Sequence, residues 1–251
     1  MRLFDSHCHF ETHDAVVIAG ILRRAKTAGV VRIMAVGGSP ALNEAAILCA
    51  DVARQLGEEA PLCAMACGLD RDHADSVPQS IPDAPLAAWG EIGLDYHYSP
   101  ETRASQCAHF ASQLEEARRR DLPVIVHTRE ADDDTLALLR EIPSHGVIHC
   151  FTGNPTFCRQ LLDLGFFISI SGIVTFRAAD NVRESALAIP DDRLLIETDS
   201  PFLAPVPLRG KTNEPAFLEH TARFLAELRG TAPETLAEQT CRNAERLFRL
   251  S

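Results

Sequence analysis

Along the chain, short unbroken apolar runs alternate with longer amphipathic stretches. The runs are Arg2–Phe4, Val31–Val36, Leu62–Cys67, Leu86–Trp89, Val124–Val126, Gly146–Ile148, Phe166–Ile170 and Arg193–Ile196. They are continuous rather than two-fold alternating, which predicts strands buried on both faces of a parallel sheet. Eight runs in 251 residues place one strand in about every 31 residues, the size of a βα unit. The stretches between them read as helices. Asp14 to Ala28 sets Val17, Ile18, Ile21, Leu22 and Ala25 on one face and stops at Gly29. Ser99-Pro100-Glu101 has the makings of a helix start, with a capping hydroxyl, a proline and an acid. Its apolar positions are Phe110, Leu114 and Ala117. Asn154-Pro155 opens another helix, with Leu161, Leu162 and Leu164 before Gly165. Thr231-Ala232-Pro233-Glu234 has the form of a capping box. The proline-rich stretches Asp75–Pro85 and Pro201–Pro215 read as loops within the fold.

This order predicts an α/β protein, a (β/α)8 TIM barrel spanning residues 1–251 as a single domain. A doubly wound open sheet is the alternative, but no GxGxxG follows a strand.

Composition narrows the class. Hydrophobic residues at 46% and charged residues at 24% suit a globular chain. No apolar run reaches the roughly 18 residues that a membrane span needs. The start, Met1-Arg2-Leu3-Phe4-Asp5, has no apolar signal core, so a cytoplasmic protein is expected. The eight cysteines have no framework spacing and no CxxC, which fits a reducing compartment. Cys63 and Cys67 read as small apolar residues of a strand. A net charge of −11 argues against a broad basic grip on duplex nucleic acid. It leaves room for an enzyme that handles phosphate at one metal-charged point.

The residues that close each run suggest such a point. His7 and His9 flank Cys8, and in an extended segment they face the same way, about 7 Å apart. Glu91 follows the fourth run, His127 the fifth, His149 the sixth and Asp199 the eighth. All are metal-ligand types at the carboxyl ends of predicted strands, where barrel enzymes place their active sites. A lone His-x-His is a weak signal, and an acid after a strand is often only a helix cap. Here four of ten histidines close three strands, joined by carboxylates at two more. Six such ligands exceed one tetrahedral ion and suit two divalent cations with open positions. Mixed His/carboxylate sites accept Mg²⁺, Mn²⁺ or Zn²⁺. His13, His73, His97, His109, His145 and His220 read as solvated residues of loops and helices, with His97 the nearest to the mouth.

Several segments resemble the TatD-related metal-dependent DNases and hydrolases of the amidohydrolase-like superfamily. They are Phe4-Asp5-Ser6-His7-Cys8-His9, Gly90-Glu91-Ile92-Gly93-Leu94-Asp95-Tyr96, Leu122–Ala131 around His127-Thr128-Arg129, His149-Cys150-Phe151-Thr152-Gly153, Ile168–Gly172 and Leu195–Pro201. Arg209–Pro215, Asn243-Ala244 and Leu247-Phe248 also match, so the resemblance runs along nearly the whole chain. It implies a TIM barrel that binds one or two divalent cations and hydrolyses phosphodiesters, with DNA the usual substrate. It also implies that His7, His9, Glu91 and Asp199 hold one metal, and that Glu91 bridges to a second held by His127 and His149. One departure stands out. Where the family usually has Gly-x-His-Pro, with the histidine facing phosphate, this chain has Gly68-Leu69-Asp70-Arg71. Asp70 would repel a phosphate there unless it binds metal or Arg71 turns inward.

The expected function is a metal-dependent phosphodiesterase acting on nucleic-acid ends or a small phosphodiester. Asp199 would orient a metal-activated water and take its proton, with Glu91 as the second catalytic carboxylate. Arg129 and Lys211 are candidate phosphate-binding cations. Asp95 and Glu197 are candidates for fixing a ligand histidine's tautomer, with Cys8 and Cys150 pointing away. Two tyrosines and one tryptophan offer no stacking platform for a long strand, and no obligate protein partner is evident. An amidohydrolase acting on a small amide, ester or lactone is the alternative, but Glu91 stands where a carboxylated lysine would. A catalytically silent binding barrel is disfavoured by the complete ligand set.

Overall fold

Every predicted apolar run forms a strand in the computed structural model, which describes residues 1–74 and 81–250. The strands are β1 (Leu3–Cys8), β2 (Val30–Gly38), β3 (Leu62–Leu69), β4 (Ala88–Asp95), β5 (Val124–Arg129), β6 (Gly146–Ile148), β7 (Phe167–Ile170) and β8 (Leu194–Ile196). They lie in one parallel sheet in chain order. The sheet is nearly closed by backbone bonds past the paired strands: Asp199 N–H donates to His7 O at 3.0 Å, and His9 N–H to Ser200 O at 2.8 Å. β1, β4 and β5 outrun their apolar cores, so His7, Glu91 and His127 sit inside strands rather than after them.

The helices among the described residues are α1 (Ala15–Thr27), α2 (Pro40–Leu56), α3 (Arg103–Arg119), α4 (Asp132–Glu141), α5 (Pro155–Asp163), α6 (Asp180–Ala188), α7 (Leu218–Leu228) and α8 (Pro233–Leu247). Strict alternation fails in two places. The described part of the β3–β4 connection holds only a short 3₁₀ turn, Arg71–His73, and two helices follow β8. Asp75–Ser80, the first part of the loop expected at Asp75–Pro85, lies outside the described residues.

Local chemistry explains some helix starts and corrects others. The Asp14 carboxylate accepts from Val16 and Val17 N–H, and Asn154 does the same for Thr156 and Phe157. Ser99 makes no such side-chain bond; instead its carbonyl accepts from Thr102 and Gln106, a 3₁₀ turn forms, and α3 begins at Arg103. The capping position of α8 falls on Ala232, so Thr231 makes no capping box. α1 buries Ile18, Leu22 and Ala25 but turns Val17 outward, 48% exposed.

Two apolar layers result. One packs strand residues such as Leu3, Ile33 and Ile92 against the surrounding helices. The other fills the barrel with Phe4, Met34, Val36, Ala66, Ala88, Ile125, Val147, Phe167 and Leu195. Cys241, Ala244, Leu247 and Phe248, in and just after α8, seal that filling from below, with the Phe248 ring 6.1 Å from Phe4. No helix among the described residues is long and apolar enough to cross a membrane.

The upper half of the barrel is irregular. Asp5 pairs with Ile33 but Cys8 with Ala35, so β1 carries an extra residue between them. β4 does the same between Trp89, opposite Val124, and Ile92, opposite Val126. An extra residue breaks strict alternation and re-aims the side chains beside it. In β1 the disturbed residues are Ser6 and His7; in β4 they are Gly90 and Glu91. Gly68 allows the close approach this needs, since a Cβ there would lie 2.9 Å from Glu91 O and Gly90 Cα.

Candidate metal centre

The carboxyl ends of β1, β4, β5, β6 and β8 bring six side chains to one point. His7 Nε2 and His9 Nε2 stand 3.0 Å apart. Glu91 Oε2 lies 3.6 Å from the first and 3.3 Å from the second, and Asp199 Oδ1 lies 3.8 Å from each. Ligands about 2.0–2.1 Å from a tetrahedral ion are about 3.3–3.4 Å from one another, so this spacing suits a cation at the centre. Glu91 turns its other oxygen to a second group: Oε1 is 3.5 Å from both His127 Nδ1 and His149 Nε2, which are 3.2 Å apart. The His7 and His149 rings stack at 3.9 Å and join the two halves, and His7, His149 and Asp199 also form a possible ligand trio.

The partners behind the ligands set their direction. His9 Nδ1 lies 2.9 Å from the Val36 carbonyl, which can only accept, so its Nε2 turns a lone pair inward. Asp95 Oδ2 sits 3.1 Å from His127 Nε2 and leaves Nδ1 free to face Glu91. Glu197 Oε1 is 3.4 Å from His149 Nδ1 and is itself held by the Cys150 N–H at 2.7 Å. Inward lone pairs and carboxylate oxygens packed this closely repel unless a cation shares them, so the donor set fits divalent metal.

The electrostatics agree. Burial opposes ionisation of Glu91, yet His149, His7 and His9 together hold it well below the usual carboxylate range. Burial raises Asp199 to about 7, with Glu197 and Glu91 adding to the rise and His149 and His9 opposing it. Burial, with His149 and His9 beside it, drops His7 to about 3, so its imidazole is neutral and able to ligate. His149 is desolvated, but Glu91 and Glu197 hold it well above its ordinary value. Two adjacent carboxylates with opposite shifts are typical of sites that move protons.

The structure thus brings together His7, His9, Glu91, His127, His149 and Asp199, with Asp95 and Glu197 behind them. It does not bring Arg129 or Lys211 to the cluster. The Arg129 guanidinium lies over the Tyr98 ring at 4.9 Å, and Lys211 is exposed in the loop after β8. Cys8 points away, its thiol 3.6 Å from Met34 O, and the Cys150 thiol meets Ser171 at 3.2 Å. His73, expected in solvent, is partly buried with its Nδ1 3.0 Å from Asp70 Oδ1. Asp5 escaped sequence reasoning. Its buried carboxylate accepts from Thr198 N–H at 2.9 Å and from the Thr198 hydroxyl, tying β1 to the segment that carries Asp199. A carboxylate two residues before His7 in a buried strand was the available signal.

A parallel barrel with this cluster at the carboxyl ends of its strands has the architecture of a metal-dependent hydrolase. Residues 4–249 match the family model described as TatD related DNase, and the chain belongs to that family. It is similar, at 40% identity over all of this chain and 97% of the relative, to an uncharacterized metal-dependent hydrolase, YcfH, from Escherichia coli K12. It is 34% identical, over 92% of each chain, to a protein of Erwinia billingiae named 3'-5' ssDNA/RNA exonuclease TatD. Among solved structures it resembles YJJV, a TatD homolog from Escherichia coli K12, with a TM-score of 0.84, 26% identity and coverage of 100% and 99% of the two chains. The protein is a metal-dependent hydrolase of the TatD family.

Proposed function

We propose that this hydrolase is a phosphodiesterase that trims nucleic-acid ends and holds two divalent cations, Mg²⁺, Mn²⁺ or Zn²⁺. The observation that carries the reading is the split of Glu91, whose Oε2 faces His7 and His9 while Oε1 faces His127 and His149. Divalent cations, when bound, would supply Lewis acidity toward water and the phosphoryl oxygens. Asp199 would orient the attacking water and accept its proton. His7 and His9 would hold one cation with Glu91 and Asp199, and His127 and His149 would hold the other with Glu91. Asp95 and Glu197 fix the two imidazoles of the second group. Arg129 and Lys211 serve at the rim, where further substrate phosphates would pass.

The net charge of −11 restricts the contact to a small footprint, so a single-stranded or frayed end suits the mouth better than a duplex. A groove beside His9, lined by Phe10, Thr12, Val17, Ile21 and Pro201, offers room for the terminal nucleoside. The name of the Erwinia relative supports single-stranded DNA or RNA as substrate. Eight free thiols support a reducing, cytoplasmic location.

The test is a panel of single-stranded DNA, RNA, duplex DNA, a phosphomonoester, an ester and an amide, with each metal and a chelator control. Metal-dependent release of mononucleotides from single-stranded ends is the expected result. Cleavage confined to the amide or the ester would overturn the reading.

A further inference from the structure

The side chain that follows Asp70 reaches the cluster. Asp70 spends its carboxylate locally: Oδ1 accepts from Asp72 N–H at 3.0 Å and lies 3.0 Å from His73 Nδ1. Arg71 turns inward instead, and its Nη1 donates to Glu91 Oε1 at 3.2 Å, with only 20% of the side chain exposed. Among the described residues, no other Lys or Arg forms an ion pair with Glu91, Asp199 or Asp95. Asp70, Asp72 and Asp95 add to the negative surroundings of the guanidinium.

The oxygen that Arg71 touches is the one facing His127 and His149. A divalent cation held by that trio would therefore lie beside a fixed positive charge. Like charges at such range in a buried site repel by far more than in water. A bridging anion removes the conflict, because a guanidinium fork and a metal ion can both bind one tetrahedral oxyanion. We propose that Arg71 is a specificity-determining residue that grips the substrate's phosphoryl oxygens, so that anion binding and cation binding at the Glu91–His127–His149 trio strengthen each other. The inference rests on the phosphodiesterase reading for the identity of the anion. Linkage makes the coupling reciprocal: the factor by which anion tightens cation is the factor by which cation tightens anion. A permanent cation with a planar fork suits a phosphoryl group, which carries charge throughout the working pH range.

Calorimetric titration of Mn²⁺ into chelator-stripped protein, with and without methylphosphonate, tests the proposal. In the natural protein methylphosphonate should tighten Mn²⁺ by about tenfold or more. In Arg71→Met, Mn²⁺ alone should bind at least as tightly as to the natural protein, and the gain from methylphosphonate should shrink to about threefold or less. Arg71→Lys, which keeps charge without the fork, should fall between the two. For phosphodiester cleavage, Arg71→Met should raise KM more than it lowers kcat. Unchanged coupling in Arg71→Met, or weaker binding of Mn²⁺ alone in that variant with circular dichroism intact, overturns the role of Arg71. Phosphodiester cleavage that survives Arg71→Met with its KM unchanged also overturns that role, while leaving the phosphodiesterase reading intact. Strong, Arg71-dependent coupling in a protein that cleaves no phosphodiester supports the anion grip and instead overturns the phosphodiesterase reading.

Discussion

The two ends of the barrel solve opposite problems with the same strands. Below, Phe4, Met34, Ala66, Ile125 and Leu195 meet Cys241, Ala244, Leu247 and Phe248 in an apolar layer. Charge is kept to the rim, where Arg2 and Arg32 pair with Glu245. Above, Glu91, Asp95, Glu197 and His149 are buried together, with Asp199 nearly so. Such a cluster is destabilising on its own, because each charge loses its hydration. The lower end therefore provides stability and the upper end consumes it. The β1–β2 and β4–β5 pairings each carry an extra residue near the top, at His7 and Glu91, while β1 has a second register shift at the bottom between Leu3 and Phe4.

Four changes would sharpen or break this contrast. Glu91→Gln removes the carboxylate that stands between the two proposed ligand groups, and kcat/KM should fall at least about 1000-fold, equivalent to about 4 kcal/mol. Circular dichroism and the urea midpoint should stay at or above those of the natural protein, and a collapsed fold would refute the division. Phe4→Ala, at the other end, should reduce stability by about 3–5 kcal/mol in urea unfolding. Its turnover per folded molecule should be unchanged; a matching loss of kcat would show that the two ends are coupled. Asp95→Asn should weaken divalent-cation binding by about 10–100-fold, read by calorimetry, while unfolding of the metal-free protein changes little. Arg2→Met should be the mildest change. It loses a partly exposed pair with Glu245, for at most about 1 kcal/mol in thermal unfolding, and leaves metal affinity unaltered.

What could be read from sequence differed between the ends in the same way. Val31–Val36 and Val124–Val126 declared themselves as strands because burial on both faces leaves an unbroken apolar run. His7, His9, Glu91, His127, His149 and Asp199 stood out because each follows such a run, and the barrel then makes their meeting nearly obligatory. What escaped was long-range. The extra residues at His7 and Glu91 depend on pairing with β2 and β5, which no local window contains. An inward Arg71 was one of two possibilities the sequence left open; that it is the one taken goes with Asp70 being committed to its own turn and to His73. Ser99 and Thr231 have capping chemistry, yet a 3₁₀ turn at one and a one-residue shift at the other pre-empt it. Val17 fits the helical face by spacing, but the sheet accepts only Ile18, Leu22 and Ala25.

The seam that closes the barrel also imposes an order in time. His7 and His9 emerge from the ribosome well before Asp199 and Ser200, whose backbones complete their pairing. Until then β1 is an open edge, and its imidazoles lack the carboxylate from the far side of the seam. Contacts this distant in sequence form slowly and late. On the proposed ligand set, cation capture at full strength would therefore wait until β8 has closed the seam. A ribosome-bound fragment that stops before β8 would carry five of the six proposed ligands and still be unable to close the site.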